Sequence, residues 1–189
     1  MNGFIQARNY RIANRTTLRL IVLHTMENQE KPKTAHSVAS WFGGPAAPVA
    51  SAHLCVDDTE VWGCVHEKDI AYAAPGANND GFHIEHAGRA AQTGEQWADA
   101  YSMAMLRLSA KAAADVAMRH AIPTVWLSVE DVLAGKKGFC GHHEISLAYH
   151  KSTHTDPGPN FPREQYLDMV RDEIALLVYP HEPHPLEPA

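Results

Sequence analysis

The apolar positions of this chain change period several times, and each change marks an element. From Thr17 to His24 the run TLRLIVLH carries Leu18, Leu20, Ile21, Val22 and Leu23 almost without a break. That is the pattern of a strand covered on both faces, as in a sheet flanked by helices. Residues 1–16 are mixed polar and basic and read as an arm or first edge element. Thr34 is placed to cap a short helix with Val38, Trp41 and Phe42 turned inward, stopped by Gly43-Gly44-Pro45. Val49 to Val65 alternates on either side of Asp57-Asp58-Thr59 and reads as a hairpin. A turn at Asp58-Thr59 pairs residue 57 with 60 and sends the sulfurs of Cys55 and Cys64 to opposite faces. Glu67 to Tyr72 gives a helical hint before the loop AAPGANNDG. FHIEHA, residues 82–87, follows as a strand, with Phe82 and Ile84 on one face and His83, Glu85 and Ala87 on the other.

The second half is helical by pattern. Thr93 and Gln96 fit a capping box, and Trp97 to His120 is the longest helical stretch. Its stripe of Ala100, Met103, Ala104, Leu106, Ala110, Ala113 and Val116 is broad enough to cover a sheet. Ile122 to Leu127 reads as extended, and Ser128 caps a brief helix ended by Gly135. Pro162 to Val178 forms a last helix with Tyr166, Met169, Val170, Ile174 and Leu177 on one side. Four prolines between Tyr179 and Ala189 forbid its continuation, so that tail reads as a linker.

Composition narrows the classes. A chain of 189 residues, 45% apolar and 20% charged, supports one substantial core and hence a single domain. A net charge of −6 and the lack of a basic run argue against a nucleic-acid partner. No apolar run reaches the length of a membrane span, and the start lacks the basic-then-apolar pattern of an export signal, so synthesis in the cytoplasm is expected. Three cysteines without a CxxC pair do not make a disulfide framework.

Chemistry concentrates between Gly138 and Pro162, a segment with almost no helical or strand period. It holds His142, His143, His150, His154 and Asp156, followed by the stiff Pro157-Gly158-Pro159. Imidazole and carboxylate on a rigid loop suit a zinc ion, which takes about four ligands, so at least one more must come from elsewhere. The plainer alternative is a solvated polar loop. His24, ending a buried strand, faces the rim of a sheet where α/β folds place their sites, or else it is a core histidine bonded to a backbone carbonyl. Glu85 in mid-strand is costly unless paired, hydrated or used. His53 reads as structural or as a ligand, and Cys140 as a small buried side chain or as a thiolate ligand.

Taken together, GH at 141–142 with TDPGPNF at 155–161, and IVLHT, SAH at 51–53 and IEHAG at 84–88 in the same order, make the chain resemble the zinc-dependent N-acetylmuramoyl-L-alanine amidases of the type 2 amidase family. That family includes peptidoglycan recognition proteins, and the likeness is greatest to phage endolysin amidase domains. It covers roughly residues 17–178 and implies an α/β fold, a central mixed sheet flanked by helices, with residues 1–178 as the catalytic domain and 179–189 as the tail.

By position, the resemblance implies Zn2+ held by His24, His142 and Asp156, with Glu85 as the catalytic glutamate. Many members carry a lysine two residues before the acidic ligand, where this chain has His154, which would then donate to the oxyanion. A tyrosine often found before the hairpin histidine is Ala52 here. The implied reaction is hydrolysis, by zinc-activated water, of the amide between N-acetylmuramic acid and the L-alanine of the stem peptide. The implied partner is bacterial peptidoglycan, met by a monomer without nucleic acid or membrane. A lysin of this kind, made in the host cytoplasm, would act on the wall after a pore opens the membrane. A peptidoglycan-binding module without catalysis and a zinc peptidase cutting within the stem are the alternatives.

Overall fold

In this computed structural model, which describes residues 1–179, the chain begins with β1 (Gly3–Phe4), β2 (Tyr10–Arg11) and β3 (Leu20–Thr25). Next come α1 (Thr34–Gly43), β4 (Leu54–Val56), β5 (Val61–Gly63), β6 (Ile70–Ala71) and β7 (Gly81–His86). The remainder is α2 (Gly94–Trp97), α3 (Ala100–His120), α4 (Val129–Leu133), β8 (Gly138–Gly141), α5 (His142–Tyr149) and α6 (Arg163–Val178). The proline-rich tail lies outside the described residues, Tyr179 excepted.

One sheet runs in the order β1-β5-β4-β7-β3-β8, and β2 pairs with β6 in a separate two-stranded sheet. The sheet is mixed. β4, β7, β3 and β8 are mutually parallel, while β5 turns back against β4 as the expected hairpin. β3 is buried at every position between β7 and β8, which is why its sequence lacks alternation.

Side chains on neighbouring positions of a strand point to opposite faces. Ile21, Leu23, Phe82 and Ile84 meet α3 and α6 in a core with Leu106, Ala113, Phe139 and Tyr166. Burying each large side chain of that set stabilises the fold by roughly 1.5–3 kcal/mol before chain entropy is counted. Toward the other face, Leu20 and Val22 pack with Cys140 and Ile145 of α5, and Cys55 and Cys64 pack with Val38 and Phe42 of α1. His24, His83 and Glu85 share this second face, because each is one residue out of phase with the α3-facing set.

Several expectations are corrected. Within 138–162, residues 138–149 form a strand followed by a helix, and only 150–162 is the expected loop; β8 is too short and too buried to alternate, and α5 is only eight residues long. Glu67–Tyr72 is a turn leading into β6, held in place by β2. Thr34 is the first residue of α1 and caps nothing; Lys33 precedes it in a left-handed conformation. Trp41 is 52% exposed, since only Val38 and Phe42 of that trio face the sheet. The Thr93–Gln96 capping box is present but opens only α2, and Asp99 caps α3 afresh, so the long helix is split. Within α3, Met105 and Leu106 are buried, while Met103 is only partly so. The Cys55 and Cys64 sulfurs lie 3.7 Å apart, because Cys55 pairs with Trp62 and Cys64, two residues further on, returns to the same face.

Candidate functional site

Three adjacent parallel strands end at the same edge, and their last residues carry the chemistry. His24 ends β3 one residue before its terminus, Glu85 is its register partner on β7, and His142 follows directly on β8, whose Gly141 pairs with Leu23. Parallel α/β sheets place sites at the carboxyl ends of their strands because the loops diverge there and leave a crevice. Asp156 arrives from the loop after α5. Its carbonyl accepts the His143 N–H at 2.9 Å, so the helix start holds the loop. Gly141 is required at the join, since a Cβ there would stand 2.5 Å from Pro157 and 3.0 Å from the Asp156 carbonyl. The start of α5 is fixed in turn by Glu144, which accepts the Gly141 N–H at 2.8 Å and pairs with Arg163 of α6 at 3.1 Å.

His24, His142 and Asp156 converge. Each offers a donor atom within 4.8 Å of the other two, and all three side chains are buried. His24 Nδ1 lies 3.1 Å from Asp156 Oδ2, and His142 Nδ1 lies 3.4 Å from Oδ1. Both rings thus turn the same nitrogen inward. Both outward nitrogens have partners, His83 Nδ1 at 3.1 Å from His24 Nε2 and Ser152 Oγ at 3.1 Å from His142 Nε2. Two imidazoles and a carboxylate, oriented by outer partners, form a donor set suited to zinc or a similar divalent ion.

Electrostatics agree with that fit. Burial alone would raise the Asp156 carboxyl, yet hydrogen bonds from His142 and His24 outweigh it and hold the group far below the usual carboxylate range. Burial pushes the His24 imidazole below its usual range, against the opposing pull of the Asp156 carboxylate. Glu85 is pushed well up, by burial first and by the negative charge of Asp156 second. Its Oε2 is shut off from solvent and has no partner among the described residues. Two carboxylates facing one cleft, one with an orphaned oxygen, are suited to a positive charge between them.

His154 also reaches the site. Its ring stacks on His142 with centroids 4.3 Å apart, and its Nδ1 is 3.5 Å from Asp156 Oδ1, while its side chain stays 64% exposed. The cleft in front of these groups encloses about 270 Å³ and is walled by Met26, Trp41, Tyr72 and Ala73. A larger cavity of about 630 Å³ lies by α3, walled by Leu54, Phe82 and Val116, but no comparable ligating group lines it among the described residues. The chemistry belongs to the smaller cleft.

Other candidates fall elsewhere. His143 lines a separate groove beside Trp126 and Arg163, His150 ends α5 in a left-handed conformation, and Cys140 is buried among Leu20, Val22 and Ile145. His53 is buried behind the site, its Nδ1 accepting the His83 N–H at 2.9 Å. Sequence reasoning put His83 on the Glu85 face but gave it no task, and it passed over Ser152. The available signal was the period of two from Glu85 back to His83, on the strand that pairs with β3.

Comparison with known proteins places this geometry. A family model described as N-acetylmuramoyl-L-alanine amidase matches residues 14–159. The chain is 30% identical over 174 residues to N-acetylmuramoyl-L-alanine amidase A of Achromobacter lyticus, covering 86% of this chain and 88% of that protein. Among solved structures, the Staphylococcus aureus hydrolase AmiA in complex with its ligand superposes with a TM-score of 0.70 at 14% identity, over 94% of this chain and 84% of that one. AmpD superposes with a TM-score of 0.65 at 17% identity, over 89% of this chain and 94% of that one. These two likenesses carry the fold; the sequence matches carry the family, and by them the chain belongs to the N-acetylmuramoyl-L-alanine amidases.

Proposed function

We infer that the chain hydrolyses the amide between N-acetylmuramic acid and the L-alanine of the peptidoglycan stem, with His24, His142 and Asp156 as zinc ligands, Glu85 as general base and acid, and His154 as an oxyanion donor. The observation that carries this reading is the convergence of three buried donors within 4.8 Å beside a glutamate with an unpartnered oxygen. When bound, zinc supplies a Lewis acid for the scissile carbonyl and lowers the pKa of a coordinated water to about 7.

The residues of the chain do the rest. Glu85, register partner of His24, takes a proton from the attacking water and returns it to the departing amine of L-alanine. A half-buried carboxylate whose proton affinity is raised by desolvation is fitted to both halves of that task. His154 reaches in from the exposed rim and donates to the carbonyl oxygen as it gains charge. Trp41 and Tyr72 in the cleft wall offer flat faces on which a saccharide ring or an apolar stem residue can rest. In this reading residues 1–178 are the catalytic unit, and the motif likeness to endolysins makes the chain a phage lysin that meets the wall from inside the host.

The test is mass spectrometry of purified cell wall digested with the protein as prepared, after metal removal, and after zinc is restored. The expected products are glycan bearing free lactyl groups and intact stem peptides, lost with the metal and regained with zinc. Shortened stems would make the chain a peptidase, and an undigested wall that retains bound protein would make it a recognition module. Full activity without metal would remove zinc from the reaction.

A further inference from the structure

We propose that His83 is a positioning residue for the metal centre: by accepting a hydrogen bond from His24 Nε2–H at its own Nδ1, it holds His24 in the tautomer that presents the Nδ1 lone pair to the ion. This inference rests on the zinc reading above and adds to it a residue that the ligand set does not contain.

The geometry is specific. His24 Nδ1 points at Asp156, so the nitrogen left to carry the ring proton in the metal-bound state is Nε2. The partner facing that nitrogen is His83 Nδ1, at 3.1 Å, in a fully buried pair. His83 cannot easily turn away. It lies on β7, its N–H is tied to His53 Nδ1 at 2.9 Å, and its ring stacks on the His53 ring with centroids 5.6 Å apart at 12°. A Cβ on Gly81 would stand 2.9 Å from His83 Nε2, so glycine at that position is what leaves room for the ring.

With His24 Nδ1 given to the ion, the one proton of that ring sits on Nε2 and is donated to His83 Nδ1. His83 then carries its own proton on Nε2, and both rings are neutral. The second ligand is oriented by a hydroxyl that can donate or accept, Ser152, so this linkage is peculiar to His24.

The experiment measures zinc affinity by chelator competition for wild type, His83→Leu and His83→Asn, with thermal unfolding of each metal-free protein and 15N spectra of histidine-labelled wild type. His83→Leu should bind zinc about 10- to 100-fold more weakly, and His83→Asn, whose amide oxygen sits where Nδ1 was, should recover most of the loss. In the zinc form of the wild type, His83 Nδ1 should be an unprotonated nitrogen that accepts a hydrogen bond. Equal zinc affinity in wild type and His83→Leu overturns the inference, as does a His83 Nδ1 that is protonated in the zinc form. If His83→Leu does not fold without metal, the Asn variant and the wild-type spectra decide. Wild type that takes up no zinc overturns the metal centre itself, a result distinct from either of these.

Discussion

His24 and Glu85 are register partners on adjacent parallel strands, so a ligand candidate and a base candidate project side by side from one face of the sheet. Strand spacing of about 4.8 Å fixes their separation more firmly than any loop could. Glu85→Gln keeps the size and removes the proton acceptor. It should leave zinc affinity near wild type and lower turnover on cell wall by about 100-fold or more. Turnover assays beside a zinc titration check this, and an unchanged rate would move the base to another residue.

His154 stacks on His142 and lies at the exposed rim, so its loss should disturb chemistry more than metal binding. His154→Ala should cost about 100-fold in kcat, with zinc affinity changed only slightly, and His154→Lys should restore much of the rate. Steady-state kinetics on soluble wall fragments separate kcat from KM. A drop of only a few-fold would mean that no side chain at 154 serves the oxyanion.

Two buried histidines away from the ligand set make stability fall with acid. Burial, aided by the nearby Arg15 charge, pushes His53 down to about 3, and burial pushes His86 down to about 4. Both lie below the unfolded value of about 6.5, so the unfolded chain binds more protons between these limits. The stabilisation is therefore fully present above pH 6.5 and is lost as pH falls toward 4 and then 3. For His86, held by the His24 carbonyl and Ser109, the loss is on the order of 3 kcal/mol. Urea unfolding of metal-free protein at pH 7.0, 6.0 and 5.0, values chosen to bracket about 6.5, should show stability declining stepwise. A flat profile would contradict the neutral buried state.

Gly158 holds the loop that brings in Asp156. Its φ is +98°, and a Cβ would overlap the Ala90 carbonyl, a backbone group that cannot swing aside. Gly158→Ala should therefore cost ~2 kcal/mol or more in unfolding free energy and weaken zinc binding as Asp156 shifts. Calorimetry and chelator competition measure the two effects. Wild-type values for both would show that the 155–161 loop tolerates the side chain.

Local pattern alone determined a good deal here. The unbroken apolar run ending in His24 announced a central strand, alternation announced the Val49–Val65 hairpin, and the Thr93 and Ser128 capping boxes announced helix starts, because each depends on a few neighbouring residues. Residue types also announced the donor chemistry, since four histidines and Asp156 clustered near Pro157-Gly158-Pro159 have little use as packing. What the chain's order could not give was mutual position. The strand over 138–141 forms because β3 supplies a partner far away in sequence, and the Cys55–Cys64 contact follows from the β4–β5 register, which returns both sulfurs to one face. His83 gained its place only when β7 paired in register with β3, for a hydrogen bond between residues 24 and 83 is a property of the sheet and of no segment taken alone.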